Sequence, residues 1–182
     1  GVGLSRLARR PAATSLVAAG ALLVIVAALV INAVLRGPWL DEFWTLHLSD
    51  PQQGLGVLVR EGWLRDTHPP LFNLWATVLS AFGVTSIPVA RLVSNLPALG
   101  LVVGAAAHLS RRMPEQTGFH LGMLLLVLSL PQAVESFANY RSYFWQIAAI
   151  ASLALVARHV AAAKADLVWR HDLDVAAIAV GA

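Results

Sequence analysis

At 182 residues, with 58% hydrophobic and only 13% charged residues and a mean hydropathy of +0.69, the chain lies far from soluble domains, where about a quarter of residues are charged. The formal charge is only +3, so the pI of 10.2 reflects few charges; the basic residues are scattered, and no nucleic-acid partner is implied. Cysteine is absent, which excludes disulfides, thiolate metal sites and a cysteine nucleophile.

Residues 12–35 form an uncharged apolar run long enough to span a bilayer, and Arg6, Arg9 and Arg10 stand directly before it, which places the amino terminus in the cytoplasm. The run exceeds the apolar core of a signal peptide, roughly 7 to 15 residues, and no clear small-residue cleavage site follows, so a retained helix is expected.

Residues 36–86 form an outer loop that opens with the most polar stretch of the chain, carrying Asp41, Glu42, Asp50, Glu61 and Asp66 beside Arg60 and Arg65. Within it, residues 69–82 are too short for a span. Leu71, Leu74, Trp75, Val78, Leu79 and Phe82 recur at helical spacing, with Asn73, Thr77 and Ser80 opposite, which predicts an amphipathic helix lying in the plane of the outer membrane surface.

Further spans are expected over 87–109, 119–138 and 143–163, with a hydrophobic segment cut short from about 174. Counting 69–82 as non-spanning puts Arg111, Arg112, Arg158, Lys164 and Arg170 on the cytoplasmic side. The fold class read from this pattern is all-α: polytopic transmembrane helices with an outer first loop. The first residue, Gly1, and the apolar final residues suggest that the whole chain, 1–182, is the amino-terminal portion of one larger membrane domain.

Three segments carry candidate chemistry on the same outer face. Asp41 and Glu42 follow the first span; a carboxylate there can act as a general base on an acceptor hydroxyl or hold a divalent cation against a phosphate, and equally the pair can simply open a surface helix. His68 precedes Pro69 and Pro70, so its backbone is extended and its side chain is a candidate phosphate or metal contact, or a plain polar residue at a helix entry. Arg141, flanked by Tyr140 and Tyr143 at the outer end of the third span, offers a fork of donors matched to phosphate oxygens, or a headgroup anchor with the tyrosines as interface belt. Glu135 within the 119–138 span suggests a watery or protein-lined cavity, because a carboxylate is costly in lipid. Arg91 reads as a snorkelling anchor.

These motifs in order, Asp41 with Glu42, then His68, Pro69, Pro70 and Leu71 followed by Phe72 and Trp75, then Arg141, Ser142 and Tyr143, resemble a large superfamily of membrane glycosyltransferases. It includes protein O-mannosyltransferases, aminoarabinose transferases and bacterial lipopolysaccharide galacturonosyltransferase-like proteins. The resemblance implies a bacterial inner-membrane enzyme that moves a sugar from a polyprenyl-phosphate carrier to a lipid, glycan or protein acceptor on the outer face. It implies Asp41 or Glu42 as the catalytic carboxylate and His68, Arg141 and Tyr143 near the carrier phosphate. Asn139, Phe144 and Trp145 stand where relatives often carry further acidic residues, so a divalent cation stays unassigned. The rival readings are a transporter or membrane scaffold without catalysis, and a fragment inactive by itself.

Overall fold

The computed structural model describes residues 10–66 and 69–180, with side chains from 16 to 66 and from 69 to 161. Among the described residues the structure is helical, without strands. Helix α1 is Arg10–Leu35, α2 Leu40–His47, α3 Pro70–Ala81, α4 Ile87–Arg112, α5 Thr117–Ser129, α6 Pro131–Phe137 and α7 Tyr143–Val180, with short 3₁₀ and π turns between α2 and α3. Three stretches are long and apolar enough to cross a membrane: Leu16–Leu35, Ile87–Arg112 and Tyr143–Ala161.

The third expected span, 119–138, is not one straight helix. It is the pair α5 and α6, bent by 67° at Leu130. Leu130 is extended, with φ −63° and ψ 135°, because the ring of Pro131 disfavours the helical region for the residue before it and supplies no N–H to continue the ladder. Taken together the pair still passes as a fourth crossing.

The expected end near 163 and the separate segment from 174 are one feature in the backbone: α7 runs unbroken for 38 residues. No glycine or proline interrupts Tyr143 to Val180, and at 1.5 Å per residue the helix is about 57 Å long, nearly twice the hydrocarbon thickness.

Helices α1, α4, α5, α6 and α7 pack around a core of Leu29, Val102, Leu124, Leu128, Phe137, Phe144 and Leu155, with Phe137 and Phe144 edge to face at 4.9 Å. Small residues complete it: Ala33, Ala98, Ala106, Ala133, Ala138, Ala148 and Ala151 are all buried. Between apolar helices it is this close approach of backbones that holds a bundle together. At one end lie the start of α5 and the end of α4, where the Ser110 hydroxyl meets His120 at 3.3 Å. The other end gathers the finish of α1, the start of α4, the finish of α6 and the start of α7, and it carries the site.

The expected helix at 69–82 is present as α3, Pro70–Ala81. Phe72, Asn73, Ala76 and Leu79 are buried, whereas Leu71, Leu74, Val78 and Phe82 of the apolar stripe are exposed. Asn73, on the face opposite the stripe, donates its amide to Asp66 Oδ2 at 3.2 Å. The helix stops at Gly83, whose φ of +81° only glycine adopts without strain, and Val84 N returns to Leu79 O at 3.0 Å to close the cap.

Candidate functional site

Two arginines at the same end of the bundle have opposite hydrogen-bonding states. Arg91, on the first turns of α4, is wholly buried, as is Glu42 of α2, and the two meet at 2.6 Å. Arg91 Nε donates to Glu42 Oε1 at 2.8 Å and Nη2 to Glu42 Oε2 at 2.6 Å. The remaining donors reach the carboxyl end of α1: Nη1 to Ala33 O at 2.9 Å and Arg36 O at 2.7 Å, Nη2 to Gly37 O at 3.0 Å. All five N–H groups of the guanidinium are used. A cation also belongs at that position, because the last carbonyls of a helix lack partners and carry its negative pole.

Glu42 is equally committed. Oε2 also accepts from Trp39 N at 2.9 Å, the reach-back half of a capping box that starts α2. Oε1 also accepts from Tyr140 N at 2.7 Å, in the turn before α7. Each oxygen thus accepts two bonds, filling the lone-pair sites of the carboxylate. Burial by itself would raise its pKa, but the Arg91 guanidinium and the N–H groups of Trp39 and Tyr140 outweigh it and hold Glu42 below its ordinary value. A carboxylate so placed is a strut, with no lone pair facing an acceptor. The expectation for Arg91 is corrected: it does not snorkel to an interface, because its partner is inside the protein.

The turn that Glu42 holds is packed from below. Tyr140 is buried, its ring edge to face with Phe72 at 5.8 Å and its hydroxyl 3.5 Å from Ala76 O, so it belongs to the core and not to an interface belt. Asn95, one turn beyond Arg91 on α4, donates to Phe137 O at 3.0 Å and Asn139 O at 2.9 Å, closing the carboxyl end of α6. Trp145 Nε1 donates to Ser94 O at 3.0 Å.

On this frame stand Asp41 and Arg141. Arg141 Nη2 lies 3.1 Å from Asp41 Oδ2; the arginine side chain is 10% exposed and the aspartate 68%. Arg141 Nε and Nη1 are buried and have no partner among the described residues. Such donors each carry a desolvation cost of about 1–3 kcal/mol, more for a charged group, unless something accepts from them. The two neighbours in sequence, Asp41 and Glu42, are therefore separated in role: one exposed beside Arg141, the other sealed beneath it.

Beside this pair an apolar groove of about 560 Å³ runs between α3 and α7, lined by Pro69, Phe72, Trp75, Val78, Ser142 and Trp145 among others. Ser142, the residue after Arg141, is part of that lining. Tyr143 opens α7 half exposed. His68, the remaining expected site residue, lies outside the described residues. Glu135 lies beyond the bend on α6, exposed, and pairs with Arg36 at 3.3 Å, while Arg36 also covers the Trp39 ring at 4.7 Å; the expected cavity around Glu135 is replaced by a surface ion pair.

Sequence reasoning missed Arg91 and Asn95 as the anchors of the site. Polar and charged residues inside an apolar helix were the signal, since they persist there only with partners in the protein. Among the described residues no group of three or more histidine or acidic side chains converges as a metal site. Compared with known proteins, the chain matches no family model, no curated protein and no solved structure.

Proposed function

We propose that the chain is part of a multi-pass membrane glycosyltransferase that takes a sugar from a polyprenyl phosphate, of undecaprenyl or decaprenyl type, and passes it to a lipid, glycan or protein acceptor. The observation that carries this reading is Arg141: a guanidinium nine-tenths buried, with two nitrogens lacking a partner among the described residues, followed in the chain by Ser142, which lines an apolar groove. A polyprenyl phosphate has matching parts, an anionic head for the fork of donors and an isoprenoid tail for the groove.

In this reading the acceptor hydroxyl attacks the anomeric carbon as the bond from that carbon to the phosphate oxygen breaks, with inversion. Asp41 takes the hydroxyl proton, and Arg141 stabilises the charge growing on the departing phosphate. Tyr143 and His68 are assigned to the same phosphate by their positions in the chain. The site end faces the outside of a bacterial inner membrane and the amino terminus is cytoplasmic, because Arg111 and Arg112 finish α4 at the opposite end. Helix α3 then lies in the outer surface with Leu71, Leu74 and Phe82 toward lipid.

The test is incubation of the full-length protein in lipid with a panel of polyprenyl-phosphate sugars, following loss of each donor. Consumption of one donor with release of polyprenyl phosphate supports the reading; a protein that consumes none and instead moves a solute across the vesicle supports a transporter.

A further inference from the structure

We infer that Arg91 is a positioning residue for this site: it sets the distance between Asp41 and Arg141 without touching either. The path is continuous. Arg91 binds the last carbonyls of α1 at Ala33, Arg36 and Gly37 and clamps both oxygens of Glu42. Glu42 is the neighbour of Asp41 on the first turn of α2. Its Oε1 also holds Tyr140 N at 2.7 Å, and Tyr140 is the neighbour of Arg141. One buried guanidinium and carboxylate therefore fix the backbone on either side of the Asp41–Arg141 contact at 3.1 Å. Every polar atom of the pair that can form a bond does so, and a fully satisfied buried network of this kind holds one geometry. Lysine cannot replace Arg91 here: its three donors on a single nitrogen cannot serve two carboxylate oxygens and three carbonyls.

The effect on turnover rests on the transferase reading above; the effect on geometry does not, and the two are measured separately. Because the chain has no cysteine of its own, Asp41→Cys with Arg141→Cys gives a thiol pair at the site end, closed by a short bifunctional reagent. Met113→Cys with His159→Cys, whose native side chains meet at 2.8 Å at the far end, gives a control pair. Introducing Arg91→Lys or Glu42→Gln is expected to lower cross-linking of the site pair at least about 10-fold while the control pair still closes. Unchanged cross-linking of the site pair in both variants overturns the inference. Loss of both pairs in either variant overturns it too, since Arg91 would then hold the whole bundle.

In the full-length protein with native Asp41 and Arg141, Arg91→Lys is expected to reduce kcat about 10²-fold, the scale of a roughly 1 Å misplacement. KM for the polyprenyl-phosphate sugar should change by less than about 3-fold, because Arg141 still meets the phosphate. A KM effect with normal kcat contradicts positioning. A site pair that loosens in a protein whose unaltered form turns over no carrier refutes the transferase reading and leaves the role of Arg91 intact.

Discussion

Asp41 Oδ2 lies 3.1 Å from Arg141 Nη2, joining the first turn of α2 to the turn before α7, and the other two nitrogens of the guanidinium have no partner among the described residues. The contact uses one of the three guanidinium nitrogens.

Arg141→Lys keeps the charge and removes the fork. Polyprenyl-phosphate binding should weaken by about 10-fold or more, as expected when a planar two-donor contact becomes a single point charge, with the protein still in the membrane at normal yield. Titration of the purified protein with polyprenyl phosphate measures it; unchanged affinity would remove the phosphate from Arg141.

Glu42 yields a prediction about stability instead of rate. Glu42→Ala leaves Arg91 buried and unpaired, a change that typically costs about 3–5 kcal/mol, and should show as a lowered unfolding midpoint in detergent. The pH dependence has a definite sign. The folded-state pKa lies below the ordinary 4.5, so the unfolded chain takes up the proton first; the contribution of the carboxylate is full above about 4.5 and is lost as pH falls through the lower folded value. Unfolding midpoints measured from pH 7 down to 3.5 should fall less steeply in Glu42→Gln than in the unaltered protein, and equal slopes would show that the charge of Glu42 does not stabilise the fold.

Topology is tested with single cysteines, since the chain has none to remove. At Asp50 and Arg65 they should react with an impermeant reagent from outside the cell, and at Arg112 and Lys164 they should not. Labelling at position 112 from outside would turn α3 into a span and reverse the placing of Arg111 and Arg112.

How far the sequence carried depended on whether a feature was local. Apolar runs and flanking arginines gave the helices around 12–35, 87–109 and 143–163, since length and hydropathy are properties of a single segment. The bend at Pro131 was also a local signal, outweighed in the reading by the apolar run on either side of it. The roles of Asp41 and Glu42 were not separable, because both are carboxylates on one turn and only the packing of α4 beneath that turn tells which is covered. Arg91 is the sharpest case: its partners are Glu42 and the backbone carbonyls at the end of α1, and a backbone acceptor leaves no mark in the sequence.

The central claim is that Asp41 is the base of a sugar transfer from a polyprenyl phosphate held by Arg141, and its most direct test is the rate of donor loss in lipid for the full-length protein carrying Asp41→Asn. Asparagine keeps the size but cannot take a proton. The expected result is normal carrier binding with transfer slowed about 10²- to 10⁴-fold; transfer at the unaltered rate by a folded Asp41→Asn protein would contradict it.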